Sequence, residues 1–232
     1  MKKSNEAGYK DNVEKYLFNQ WNKTITEKDI ILHLGDLYFH NNKSKEFNIS
    51  KLNELNGNKI LIKGNHDRNN YLNKLDSSWF IIEGIYNADL SDKENKKFNS
   101  YLGKSKELKK DNEEIYELYK NQKNINLVSA FIKTIELNQY SKETKEENIT
   151  KIKKKIMFTH YPLFRKELEY DKKYSNIIKI FEYVYKYYKC DINIHGHIHS
   201  NEIKNSTIVN INASVEVLED MKPTTIKELI KV

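Results

Sequence analysis

Four short polar clusters, each directly after an apolar run, hold the side chains of this sequence that could do chemistry. They are Gly35-Asp36, Gly64-Asn65-His66-Asp67, Thr159-His160-Tyr161-Pro162 and His195-Gly196-His197-Ile198-His199. In open α/β sheets, functional sites gather just beyond the carboxyl ends of the strands, so clusters that are distant in sequence can converge there. Their carboxylate, amide and imidazole groups form a ligand mixture that suits Mn, Fe or Zn better than Mg or Ca.

The clusters differ in how strongly each one indicates a metal site. A Gly-Asp at a strand end is usually a turn. His160, before Tyr-Pro, could equally be a turn residue or a histidine with satisfied hydrogen bonds. The polar run Asn65–Asp67 has no packing purpose after an apolar strand. His197 and His199 alternate on an extended chain, so both point to one face and can share a metal. The occurrence of all four clusters in order favours a metal centre more than any one of them does.

Three further histidines are not expected to be ligands. By the same alternation, His195 points away from His197 and is expected in the core or behind the ligands. His33 lies inside an apolar strand, and the sequence pattern gives His40 no partner. We therefore expect all three to be structural.

The clusters require strands that end side by side, and apolar periodicity predicts such strands. A strand at 29–34, a helix at about 45–56 that Gly57 ends, and a strand at 58–63 form a βαβ unit, so the two strands should be parallel. The other predicted elements are a helix at about 11–21, strands at 154–159, 191–194 and 207–212, a helix at 175–189 and a last helix near 225. Thr225 and Glu228 can form a capping box at the start of that last helix.

The stretch at about 86–153 shows little strand signal. Residues 104–120 read as a charged amphipathic helix, and residues 138–150 as a charge-dense loop or helix. The chain has neither an internal repeat nor enough Gly and Pro (7 and 2) to mark a flexible linker. We therefore expect one domain over 1–232, with a charged, largely helical insertion at about 86–153.

The ordered clusters resemble those of the calcineurin-like metallophosphoesterase superfamily, and in particular its small bacterial and phage phosphoesterases. The flanking segments agree at Gln20-Trp21-Asn22, Leu34-Gly35-Asp36, Leu55-Asn56-Gly57 and from Val209 to Pro223. The resemblance covers roughly residues 9–79 and 154–230 and leaves out the 86–153 stretch. It implies an α/β fold, a four-layer α/β/β/α sandwich with metals at the C-terminal strand ends.

The resemblance also implies a role for each matching residue. Asp36 would bridge two metals, and His199 would belong to the first metal site. The second site would be completed by Asn65, His160 and His197. His66 would be the catalytic histidine, and Asp67 would orient its loop. Two divalent metals roughly 3.5–4 Å apart would activate a hydroxide and clamp the phosphoryl oxygens for in-line attack.

One part of the family pattern does not match. The family opens with a strand that ends in Asp-x-His, and no Asp-x-His precedes Asp36 in this sequence. The fold is therefore expected to lack its first strand, and the first metal site keeps only Asp36 and His199. A truncated chain and a degenerate paralogue would both give this result. Truncation is favoured because every later motif is intact, and we expect only one metal to be held tightly.

Composition limits the partners and the compartment. The formal net charge is +7, but only two of the 40 basic residues are arginine, and the lysines are mostly interleaved with glutamate. Base readout and single-strand stacking usually need arginine forks and aromatic platforms, so a nucleic-acid partner is possible but not favoured. A single cysteine, Cys190, suits a reducing compartment. We expect a cytoplasmic protein that makes no membrane contact.

Three function classes stay open from the sequence. The first is a metal-dependent phosphatase or phosphodiesterase that acts on phosphate esters, impaired by the loss of first-site ligands. The second is a non-catalytic protein that binds metal or phosphate on the same fold. The third is a nuclease of this fold, which the positive charge favours and the scattered lysines oppose.

Overall fold

A computed structural model of the chain describes residues 13–37, 45–121, 127–141, 148–163, 174–201, 203 and 207–230. Its helices are α1 (Val13–Thr24), α2 (Lys45–Asn53), α3 (Asn69–Leu72), α4 (Asp92–Lys104), α5 (Lys106–Asp111), α6 (Glu113–Asn121), α7 (Ser175–Tyr187) and α8 (Ile226–Ile230). Its strands are β1 (Ile30–His33), β2 (Asn58–Ile62), β3 (Trp79–Ile82), β4 (Gly84–Asn87), β5 (Ser129–Ser141), β6 (Asn148–Thr159), β7 (Ile192–His195) and β8 (Val209–Asn212).

The strands form two sheets. The first has the order β1-β2-β3, and its strands are all parallel. The second has the order β4-β5-β6-β7-β8, in which only the β5–β6 pair is antiparallel. The chain passes from one sheet to the other at Gly84, whose φ of +80° favours glycine. The βαβ unit predicted from the sequence is thus confirmed, since β1 and β2 are parallel neighbours.

Three apolar clusters arrange these elements in four layers. One lies between the sheets and contains side chains of all eight strands, with α8 at its margin. A second packs α1, α2 and α3 on the outer face of the first sheet. The third packs α4, α5, α6 and α7 on the outer face of the second sheet. This is the predicted α/β/β/α sandwich, in which helices pack on one face of each sheet and the other sheet on its second face, as parallel strands require.

The 86–153 stretch is richer in strands than its sequence indicates. β5 and β6 form a hairpin over 129–141 and 148–159, whereas the sequence predicts a loop or helix at 138–150; residues 142–147 lie outside the described part. The hairpin extends beyond its neighbours as a two-stranded ribbon, where Glu136 forms a 2.8 Å ion pair with Lys151. Because these solvated strands carry charged side chains, the sequence lacks the alternation of apolar and polar residues that indicates a strand. This explains the wrong prediction.

The helical part of the stretch follows the prediction with one break. Instead of one helix at 104–120, α5 and α6 are separated at Asn112, whose Oδ1 accepts from the N–H of Ile115 at 3.1 Å. The capping box at α8 is confirmed, because the N–H of Thr225 donates to Glu228 and that of Glu228 donates to Thr225 Oγ1. Among the described helices, none has the length and apolar character to cross a bilayer.

Two asparagines of α4 cover the edge of the second sheet at β4. The Asn99 amide accepts from the Ile85 N–H at 2.8 Å and donates to its carbonyl at 2.7 Å. The Asn95 amide makes the same pair of bonds with Asn87, at 2.7 and 3.0 Å. Residues i and i+4 of a helix are about 6 Å apart, close to the roughly 6.6 Å between alternate strand residues, so the two amides match the strand. They act in place of a neighbouring strand and keep the edge from pairing elsewhere.

Replacing Asn99 by alanine should therefore destabilise the protein. Asn99→Ala leaves the buried N–H and C=O of Ile85 without these partners. We expect a loss of about 2 kcal/mol in the free energy of unfolding, measured by urea denaturation. Asn121→Ala, at the exposed end of α6, is the matched control and should change little. Equal stability of the two variants would contradict the role given to Asn99.

Candidate metal centre

The four polar clusters meet at one point. Their strands are β1 and β2 in the first sheet and β6 and β7 in the second, so the site lies where the two sheets adjoin. His160 Nε2 lies 3.0 Å from Asn65 Oδ1, 3.0 Å from His197 Nδ1 and 3.4 Å from Asp36 Oδ2. The ligand atoms of Asp36, His160 and His197 all lie within 4.8 Å of one another. The structure thus brings together four of the five residues expected to bind metal.

His160 is held as a neutral imidazole whose Nε2 faces the cluster. Its Nδ1 lies 2.7 Å from the carbonyl oxygen of Leu34. A carbonyl can only accept, so the ring proton is on Nδ1 and the lone pair is on Nε2. Burial, and then the nearby His197, lower the pKa of His160 to about 3. The ring is therefore uncharged at neutral pH, which is the form that binds metals.

The chemistry of the donor set fits a bound cation. His160 Nε2 can accept one proton at most, from His197 Nδ1. The oxygens of Asn65 and Asp36 also face this lone pair and are themselves acceptors. Acceptors that face one another at 3.0–3.4 Å without a proton between them repel, and a cation among them removes this repulsion. Asn65, His160, His197 and Asp36 would hold a metal ion here.

Asp36 occupies a backbone conformation that few residues adopt. Its φ is +54°, in the left-handed region, and its Oδ1 accepts from the N–H of His66 at 2.9 Å. The preceding Gly35 has a φ of +89°, and a Cβ there would lie 2.6 Å from Gly64 N and from His160 Nδ1. Only glycine lets these loops approach so closely. A non-glycine residue in this region costs about 1 kcal/mol or more and is common where function requires the position.

Asp67 joins the two loops that carry Asp36 and Asn65. Its Oδ2 accepts from the N–H groups of Asp36 and Gly64, each at 2.8 Å. Its Oδ1 accepts from the N–H of Leu37 at 2.9 Å and from the Tyr71 hydroxyl. Burial and the Asp67 charge raise the pKa of Tyr71, so the hydroxyl stays a donor. These bonds agree with the orienting role that the resemblance implies for Asp67.

His66, the expected catalytic histidine, lies next to the cluster and outside it. Its side chain is exposed, whereas Asn65 is half-buried and Asp67 is buried. The bond from its backbone N–H to Asp36 Oδ1 fixes the loop that carries it. An exposed imidazole on an anchored loop beside the cluster can reach a bound substrate.

His199 is not brought into the cluster. It has a φ of +53°, its side chain is 59% exposed, and its Nδ1 lies 2.7 Å from Glu216 Oε1. No other His, Cys, Asp or Glu of the described residues joins Asp36, His160 and His197 in their group. The sequence did not indicate Glu216, whose position is set by the chain turn after β8.

The other histidines that the structure describes, His33 and His195, do not join the cluster. His195 is buried, and burial lowers its pKa to about 4; its Nδ1 lies 2.9 Å from the Gly196 oxygen. His33 stacks on Trp21 with ring centroids 6.2 Å apart, and burial lowers its pKa. His33 lies in a strand, as expected, whereas His195, expected just after a strand, is the last residue of β7; His40 lies outside the described residues.

A network of hydrogen bonds that the sequence did not predict holds the segment after β6. The buried Asn193 accepts from Thr159 Oγ1 at 2.9 Å and donates to Asn210 Oδ1 at 3.0 Å. Asn210 in turn bonds both the N–H and the C=O of Leu163, at 2.9 and 2.8 Å. The segment between Thr159 and Leu163 carries His160, so the network fixes that residue from both sides. Its signal in the sequence was an asparagine inside each of two apolar strands.

Comparison with known proteins identifies the family. The sequence model of the calcineurin-like phosphoesterases matches residues 7–201, most of the chain, and the chain therefore belongs to this family. The family supports phosphoester hydrolysis as the general chemistry, with divalent metals as cofactors.

Two individual proteins are similar to this chain. An uncharacterized protein of Methanocaldococcus jannaschii is 40% identical over 58 residues, which are 25% of this chain and 32% of that protein. The matched part thus spans about a third of the relative's length. A crystal structure of a protein of unknown function from Aquifex aeolicus aligns over 95% of this chain and 85% of that chain, with 22% identity and a TM-score of 0.49.

Proposed function

We propose that this protein hydrolyses phosphate mono- or diesters at a dinuclear metal centre, of which Asp36, Asn65, His160 and His197 hold one metal tightly. The observation that carries the proposal is the convergence of oxygen and nitrogen acceptors on His160 Nε2. The mixed donor set favours Mn, Fe or Zn. When bound, such cations attract the phosphoryl oxygens and make water a better nucleophile.

The residues of the chain have separate tasks in this proposal. Asp36 supplies the negative charge that a divalent cation needs, and Asp67 and the His66 N–H hold it in place. His160 supplies a neutral nitrogen whose direction is set by Leu34. His66 donates a proton to the leaving oxygen of the substrate, or stabilises the charge that develops there. The exposure of its ring gives it the required access to substrate.

The first metal site, to which the resemblance assigns His199, would hold its metal weakly. Of the residues that resemble its ligands, this sequence has only Asp36 and His199. A site with two protein ligands keeps more water and binds less tightly than one with four. The expected substrate is a phosphate ester, and nucleic acid is not favoured as a partner because the lysines are scattered.

Hydrolysis of a generic substrate tests the proposed function. The protein is stripped of metal with a chelator, reloaded with Mn²⁺, and incubated with bis-p-nitrophenyl phosphate and with p-nitrophenyl phosphate. We expect turnover of at least one substrate that depends on Mn²⁺ and stops when chelator is added again. Tight metal binding with no turnover of either substrate would instead indicate a non-catalytic binding protein on this fold.

A further inference from the structure

We propose that Glu216 is a positioning residue for His199: it takes the Nδ1 proton of the ring, so that Nε2 presents its lone pair to the weakly held metal. The proposal rests on the proposed function, which assigns His199 to that metal. It adds a residue that lies in none of the four polar clusters.

The distance between the His199 ring and the Glu216 carboxylate indicates a hydrogen bond. His199 Nδ1 and Glu216 Oε1 are 2.7 Å apart, a distance typical of a charge-assisted hydrogen bond. An ionised carboxylate can only accept, so the proton between the two atoms is on Nδ1. In a neutral imidazole, Nε2 is then the only nitrogen with a lone pair for a metal.

His199 is bonded to Asn212, the last residue of β8, and Glu216 lies in the turn that follows, which makes the contact more than an accidental surface pair. Asn212 Nδ2 donates to the His199 carbonyl at 2.6 Å and to the Asn201 carbonyl at 3.2 Å. Asn212 Oδ1 accepts from the N–H of Ser214 at 2.9 Å, and Glu216 follows in the 3₁₀ turn Val215–Val217. One asparagine thus bonds the backbone of His199 and that of Ser214, two residues before Glu216.

The burial of Glu216 and the backbone conformation of His199 also favour a positioning role for Glu216. The Glu216 side chain is 26% exposed and the His199 side chain 59%, so the carboxylate supports the ring from the protein side. His199 has a φ of +53°, a strained conformation that the Asn212 bond stabilises. Metal-binding histidines almost always donate their other N–H to a carboxylate or carbonyl. His160 has this arrangement with Leu34 in the tightly binding set.

The proposal is tested directly by measuring which ring nitrogen of His199 carries the proton. Protein with ¹⁵N-labelled histidine is examined metal-free, at about pH 8, by long-range ¹H–¹⁵N correlation, with His199→Gln used to assign the His199 signal. We expect the proton on Nδ1 in the wild type and a shift towards Nε2 in Glu216→Ala. Glu216→Gln keeps the side-chain shape and should give a smaller shift in the same direction. The exposed Glu219→Ala is the matched control and should leave the tautomer unchanged.

Metal titration gives a second readout. Glu216→Ala should weaken the low-affinity Mn²⁺ equivalent by about 10–100-fold and leave the tight equivalent unchanged. In a His199→Ala background, adding Glu216→Ala should have no further effect, because Glu216 acts through the ring.

Two results would overturn the proposal. One is an unchanged His199 tautomer in both Glu216 variants. The other is an equal loss of metal affinity from Glu216→Ala with and without His199, which would make Glu216 a ligand itself. A chain that binds no metal at all would contradict the proposed function, whereas the tautomer experiment would still decide the role of Glu216.

Discussion

Asp36→Asn should abolish tight metal binding and almost all activity. The wild type should retain close to one equivalent of metal after dialysis, because the proposed function gives one site four ligands and the other only two. Asparagine tolerates the left-handed backbone of position 36, so the loop should stay in place while the charge is lost. Metal chemistry supplies several kcal/mol, so turnover should fall by about 10³-fold or more.

A second aspartate offers a matched control for this change. Asp220 also has a positive φ, of +50°, and its side chain is exposed, in the turn before α8. Asp220→Asn should therefore keep both metal content and activity. Metal content is read by elemental analysis and turnover on the same samples. Tight metal binding in Asp36→Asn would mean that other residues hold the ion.

His66→Ala should lower turnover and leave metal content nearly unchanged. The exposed His66 ring lies beside the cluster, and the His66 backbone N–H donates to Asp36 Oδ1. General acid–base groups contribute about 10²–10⁴-fold to a rate, and the loss should fall in that range. The effect should appear in kcat more than in KM, since a proton donor acts in the transition state.

The control for His66 lies four residues further along the chain. Asn70→Ala changes an exposed residue of α3 and should retain wild-type turnover. If His66→Ala lost metal and activity together, His66 would belong to the ligand shell. If turnover were unchanged, another group would have to protonate the leaving oxygen.

The sequence predicted the framework of the site because that part depends on local rules. β1, β2, β6 and β7 are short apolar runs that end in polar clusters, and the carboxyl ends of such strands gather at one place. Their convergence around His160 is what the structure adds. The roles of Asn65 and His66 came from the resemblance, since their residue types alone would also fit a turn.

The features that the sequence did not predict depend on contacts between residues that are distant in the chain or on solvated strands. The Asp67 carboxylate bonds the N–H of Asp36, and no local pattern predicts a bond over 31 residues. The ribbon of β5 and β6 carries its charged side chains towards solvent, so its strand pattern is hidden. Glu216 lies 17 residues from His199 and meets it only because a strand and a turn bring the chain back.

The proposed function requires one metal to be held among residues that follow four different strands. Crystals of metal-stripped protein soaked in Mn²⁺, with anomalous diffraction measured at the manganese edge, test it most directly. We predict a strong peak within coordination distance of Asp36, Asn65, His160 and His197, with a weaker peak or none beside His199. A map without a peak at His160 Nε2, or with manganese only elsewhere on the protein, would contradict this metal site.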